Sequence, residues 1–167
     1  MPSARQMFAA AALVTVMTST AAAQDSTSAS RDSGFAELQE RGRQAMGVDQ
    51  YTSAHRFDDL EDGGRIELQR DSTDSAGVRT IREHLKGIAA AFAAGNFETP
   101  GFVHDTEVPG TAVMRARRSA IEYAFRPLPG GGEVRITSLD PVAVNAIHQF
   151  LAFQRHDHRA PGASHQH

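Results

Sequence analysis

The hydrophobic positions of this chain change period along its length. Ser53, His55 and Phe57 share one side of an extended segment, with Thr52, Ala54 and Arg56 on the other. After a Gly63-Gly64 pair that reads as a hairpin, Ile66 and Leu68 alternate with Arg65, Glu67 and Gln69. A period of two marks half-buried strands. Val78, Ile81, Leu85, Ile88 and Phe92 then recur at helical spacing on one face. The same succession returns further on. Ile121, Tyr123 and Phe125 alternate with Ala120, Glu122 and Ala124, and Gly131-Gly132 precedes Val134 and Ile136. Asp140-Pro141 then opens a helix carrying Val144, Ile147 and Leu151, because an Asp cap followed by proline is pre-organised for a first turn.

The two halves align. In FDDLEDGGRIELQ and FRPLPGGGEVRIT, Phe57 matches Phe125, Leu60 matches Leu128, and Ile66 and Leu68 match Val134 and Ile136. The pattern predicts a duplicated ββα unit with repeats over 46–93 and 114–158. The expected fold class is α+β: a four-stranded, mainly antiparallel sheet, two helices on its apolar face, and an N-terminal helix over FAELQERGRQAM. The other face (Arg65, Glu67, Glu122, Arg126, Glu133, Arg135) is polar and is expected to meet water. The segment Gly95 to Arg118 holds two Pro-Gly pairs and reads as a long loop, the kind of connection that often borders a site.

The flanks read differently. Met1 to Ala23 has the form of a secretory signal peptide, with Arg5 as its only charge, a short apolar run over Met7 to Met17, and small residues at its end. That run is shorter than the roughly 20 residues needed to span a bilayer. Residues 24–34 (QDSTSASRDSG) read as a flexible spacer, and 159–167 as a disordered tail containing His165 and His167. The expectation is therefore one domain over 35–158, periplasmic or secreted, with no membrane span after leader cleavage.

Composition removes several functions. The 167 residues carry 17 Lys+Arg against 20 Asp+Glu, a net charge of −3, with no basic run to hold nucleic acid. There is no Cys, which excludes disulfides, thiolate metal sites, iron–sulfur clusters and a Cys nucleophile. The acidic run Asp58 to Asp62 lacks the alternating ligands and distal Glu of a calcium loop and reads as a solvated hairpin tip. Arg115, Arg117 and Arg118 form a small basic cluster at a strand entrance. No phosphate loop, nucleophile elbow or metalloprotease motif occurs, and nothing argues positively for catalysis.

What remains is histidine, of which there are eight. His55 stands on the inward side of its strand, where an imidazole needs a hydrogen-bond partner or a metal. His104 lies in the connecting segment beside Asp105. His158 aligns with Phe92: it faces the sheet if the last helix persists that far, and otherwise is a C-terminal histidine favoured by the helix dipole. His148 lies on the flank of the same helix, about 15 Å from His158 at the helical rise. One ion cannot bind both, since metal–nitrogen bonds are about 2 Å. His84 flanks Leu85 and reads as packing, and His156 reads as exposed. Met46 or Met114 is available as a soft extra ligand.

The phrases AMGVDQYTSAHRF, EVPGTAVM and FLAFQRHDH resemble an uncharacterised family of small exported bacterial proteins. The resemblance covers nearly all the chain after the leader. It implies an ordered exported domain and brings no catalytic residue or cofactor. Together these features point to an exported binding protein that holds a transition-metal ion, copper ahead of zinc, through His55, His104 and one of His148 or His158. The alternative is a periplasmic module for a small ligand or a protein, with structural histidines. A His104–Asp105 acid–base pair is a third reading, weakened because adjacent side chains rarely project to one substrate.

Overall fold

The computed structural model describes residues 21–162. Residues 1–20, most of the segment 1–23 expected to be a signal peptide, and the tail histidines His165 and His167 lie outside the described residues. The elements run α1 (Ala21–Met46), β1 (Ser53–Leu60), β2 (Gly63–Arg70), α2 (Ser75–Ala93), α3 (Glu98–His104), α4 (Thr111–Ala116), β3 (Ile121–Leu128), β4 (Gly131–Ser138) and α5 (Pro141–Asp157). The strands form one antiparallel sheet in the order β1-β2-β4-β3, so the fold is α+β, as the periodicity predicts. Among the described residues no helix is long and apolar enough to cross a membrane.

Both sheet-covering helices start where side chains cap them. Asp74 accepts from Gly77 N at 3.0 Å, and Asp140 accepts from Val142 N at 2.9 Å with Pro141 in the first turn. Each such cap is worth about 1 kcal/mol. The two helices pack crosswise. α2 lies mainly on β3 and β4, and α5 mainly on β1 and β2, so each covers strands from the other half of the chain. The core between them includes Leu68, Ile81, Phe92, Val134, Ile136, Ile147, Phe150 and Leu151, all at most 2 % exposed.

The glycine pairs do not make the turns. Leu60 pairs with Gly63 and Leu128 with Gly131, which leaves Glu61-Asp62 and Pro129-Gly130 as the two-residue turns. The glycines open the second strands, where helices come closest to the sheet. A Cβ on Gly64 would collide with Leu151 Cδ1 and stand 2.9 Å from the Asp58 carbonyl; one on Gly131 would stand 3.0 Å from Ile81 and collide with the Leu68 carbonyl.

The polar face is less open than its composition suggests. Asp58, 1 % exposed, receives Arg56 Nε at 2.9 Å and Arg65 Nη2 at 2.5 Å. Glu133, 8 % exposed, lies 3.6 Å from Arg65. The acidic run is a solvated tip only at Glu61 and Asp62, the exposed turn, while Asp58 and Asp59 are buried. Asp58 and Asp59 are neighbours in β1, so they project to opposite faces, and Asp59 is buried against Arg155 of α5.

Three connecting segments also differ from the sequence reading. Residues 24–34 belong to α1, since adding residues to an already nucleated helix costs little even for Ser and Asp. The segment after α2 is folded into α3 and α4; Arg117 pairs with Asp140, and Arg115 donates to the Gly95 carbonyl at 3.1 Å. Residues 160–162 dock on the free edge of β1, where Phe57 N donates to the Pro161 carbonyl at 3.2 Å.

Gly64→Ala is expected to lower stability by about 1–3 kcal/mol, the usual cost of overpacking a tight site. Gly87 has open space around its Cβ position and sits exposed inside α2, so Gly87→Ala should instead raise stability, by up to about 1 kcal/mol. Urea midpoints measured at a common m value check both signs.

Candidate functional site

Three of the four histidines singled out above converge. β1 carries His55 inward, opposite Leu68 of β2 and next to Phe57 on the same side of the strand. α3 ends at His104, because Asp105 adopts a left-handed conformation (φ 53°) and closes the helix by donating its N–H to the Gly101 carbonyl. α3 is held against α1 by Arg41 Nε, which donates to the Val103 carbonyl at 2.8 Å. α5 ends at Asp157, and His158 is its C-cap, with its N–H donated to the Gln154 carbonyl at 3.0 Å. That cap turns the His158 ring onto the sheet.

The ring centres of His55 and His158 are 4.9 Å apart with planes inclined by 16°. His104 meets His158 edge-on at 5.0 Å, and Phe57 lies 5.7 Å from His158. The rings border a cavity of about 80 Å³, closed otherwise mainly by apolar groups such as Leu68, Leu85, Ile88 and Phe92. This is room for a few waters, or for an ion or very small molecule. His148 is not part of the cluster. Its Nε2 donates to the Leu60 carbonyl at 2.9 Å, on the far stretch of α5. Helix geometry thus keeps His148 of α5 and the capping His158 apart.

Three residues passed over as site residues belong here. His84 of α2 lines the same cavity rather than packing outside it. Asp157 pairs with His104 Nδ1, and Gln154 Oε1 lies 3.0 Å from His104 Nε2. A neutral His104 that donates Nδ1–H to Asp157 offers Nε2 as an acceptor, which Gln154 serves best by presenting its amide NH2. The available signal for Gln154 was its place on the apolar stripe of α5 between Leu151 and His158. Of the two methionines, Met46 lines the cavity while Met114, 0 % exposed, is core.

Burial sets the charge of the site. His55 is pushed down to about 4 by desolvation, with the nearby His84 adding to the effect. His158 is pushed down to about 2, again by desolvation first and then by His55 and His104. Burial lowers His84 as well. At neutral pH these rings are uncharged, with lone pairs available to a Lewis acid or a hydrogen-bond donor. Two of the buried atoms without a hydrogen-bond partner lie in this site: His158 Nδ1 and whichever end of the Gln154 amide is turned away from His104. Each such atom costs about 1–3 kcal/mol. His55 makes ring contacts with Phe57 and His158 and no hydrogen bond to the described residues. Among the described residues, no three His, Asp or Glu side chains are already grouped to hold an ion.

Comparison with protein-family models, with curated proteins and with solved structures gave no match.

The lowered histidines have a consequence for acid stability. Unfolded, these rings take up protons near pH 6.5; folded, His55 resists until about 4 and His158 until about 2. The unfolded chain then binds more protons over that window, so their contribution is fully present above pH 6.5 and is lost as pH falls toward 4 and below. Urea midpoints taken from pH 7.5 to 4 should fall steadily. In His158→Phe the fall should be shallower, and an identical slope would contradict a buried neutral ring at this position.

Proposed function

We propose that this domain is an exported binding protein for a transition-metal ion, copper ahead of zinc, held by His55 and His158 with the thioether of Met46. The observation that carries the reading is the convergence of neutral imidazoles from separate elements on one small cavity, with His158 Nδ1 buried and unpartnered. An ion about 2 Å from a nitrogen of each of two imidazoles sets their ring centres about 5 Å apart. The His55–His158 separation of 4.9 Å is close to this, and the two rings, now stacked with planes 16° apart, would have to tilt to aim their in-plane lone pairs at one ion. Metal binding also satisfies a lone pair that is otherwise stranded, which offsets a cost the apo fold carries.

The donor set favours copper. A structural zinc site is closed by four tetrahedral ligands. Two imidazoles and a thioether are a soft, low-coordinate set suited to Cu(I), and thioether sulfur is one of the ligands that selects it. His104 is engaged on both ring nitrogens and stands next to this pair rather than in it. In the periplasmic or extracellular setting that the leader implies, such a domain buffers or carries copper.

The test is metal content by mass spectrometry after dialysis of the full chain loaded with Cu(I) under reducing conditions, Cu(II) or Zn(II). His165→Ala/His167→Ala serves as background, to remove ligands in the tail. Near one copper per chain is expected, with at least a tenfold loss of affinity in His55→Phe and in His158→Phe and no change in His148→Phe. Copper retained equally by all of these variants, or by none of them and not by the background chain, overturns the reading.

A further inference from the structure

Directly outside the histidine cavity lies a groove between α1 and the end of α5, where Glu37, Asp105, His156 and Asp157 gather with Arg41 and Arg159. Both arginines are turned toward α1 and its neighbour. Arg41 donates to the Val103 carbonyl and lies 3.9 Å from Glu37. Arg159 donates to Asp32 at 3.1 Å and covers the Phe35 ring at 4.2 Å. The groove therefore presents carboxylates and an exposed imidazole, a surface that raises the local concentration of cations.

His104 lines both the groove and the inner cavity, and among the described residues it is the one lining residue they share. Its side chain is 1 % exposed, so it forms the wall between them. Nδ1 faces Asp157, whose side chain is 34 % exposed, and Nε2 faces Gln154. Immediately behind stands His158 at 5.0 Å, and behind that His55 at 4.9 Å. Donor atoms thus follow one another from water to the core at the spacing of neighbouring rings. The sequence His156-Asp157-His158 sets this up: two residues of the last turn face the groove, and the capping residue faces the cavity.

We propose that this groove is the port through which the copper ion is loaded, with His104 as the ring that hands it from the Asp157 side to the His158–His55 pair. The proposal rests on the copper reading above. Each step is a ligand exchange: a carboxylate oxygen or water at the ion is replaced by an imidazole nitrogen. No electron is transferred. While His104 Nδ1 binds the ion, its proton is carried by water to Nε2, where the Gln154 amide oxygen accepts it and the ring stays neutral, and the shift reverses once the ion has moved inward. Asp157 acts twice, as a first oxygen donor and as the partner that sets the orientation of His104 in the resting state.

The experiment follows transfer of Cu(I) from its coloured bicinchoninate complex to the full chain by stopped-flow absorbance, with equilibrium copper content measured on the same samples. Asp157→Asn should load at least tenfold more slowly than wild type with the same final copper content. Glu37→Gln/Asp105→Asn, which touches no histidine, should load severalfold more slowly at low ionic strength and at the wild-type rate in high salt, since exposed charges are screened within about 10 Å at 0.1 M. Glu61→Gln, at the opposite hairpin, should load like wild type. Wild-type loading rates in both groove variants, with copper retained, overturn the port and leave the inner pair standing. No copper retention by the wild-type chain overturns the copper reading and the port together.

Discussion

The seating of α5 on β1 governs the rest of this structure. Near the end of the helix, Arg155 spans the gap to Asp59 with two hydrogen bonds of 2.8 Å, and its Nη1 also reaches the Phe57 carbonyl at 3.1 Å. Both partners are largely withdrawn from water, with 14 % and 6 % of their side chains exposed. Breaking such a pair by removing one partner typically costs about 3–5 kcal/mol, because the charge left behind has no compensation. Further along the same helix, His148 ties to the Leu60 carbonyl. With the second half of β1, Phe57 to Leu60, fixed to α5, the helix terminus falls over Phe57 and His55, and its capping residue His158 comes to lie against them. The chain then closes the free edge of β1 through Pro161, which also protects that edge from pairing with another strand.

The histidine cavity shows what this seating makes possible. A core of this size normally satisfies its polar atoms, and each exception calls for an explanation. Among the described residues Gln39, Arg70 and Tyr123 also carry such an atom, but two exceptions share this one small apolar space: His158 Nδ1 and the Gln154 amide. The surrounding rings from β1 and α2 are neutral for the same reason, desolvation. The fold therefore carries uncompensated polarity in a place rigid enough to keep it. Apolar side chains at these positions would pack more stably, and they would offer a ligand nothing to bind.

Inside and outside of the site differ in electrostatic character, and His104 stands at the boundary. The groove side is acidic and hydrated, while the cavity side is uncharged, apolar and nitrogen-rich. Under the copper proposal, the first would draw a hydrated cation by long-range attraction and the second would hold it through soft donors and the exclusion of water. These two demands cannot be met by one surface, since a carboxylate deep in the cavity would itself need a partner.

Much of the architecture was legible from periodicity. Strict alternation over Ser53 to Phe57 put His55 inward, because a strand has only two faces and its neighbours Phe57 and Leu68 declare which one is buried. The stripes of α2 and α5, and the cap Asp140, followed from equally local geometry. The meaning of the glycine pairs was not legible, since a tight turn and a close helix approach both require a missing Cβ. Nor were the partners of His104: Asp157 and Gln154 lie far away in sequence, and His84 sits at the flank of its stripe, where a small rotation of the helix decides between solvent and cavity. The sequence by itself determined which segments are strands and helices and which of their faces are apolar, since these depend on backbone repeat and side-chain hydration alone. Only the tertiary structure decided that His55, His104 and His158 meet while His148 does not. That outcome depends on packing distances and on where one helix stops, and no local period encodes either.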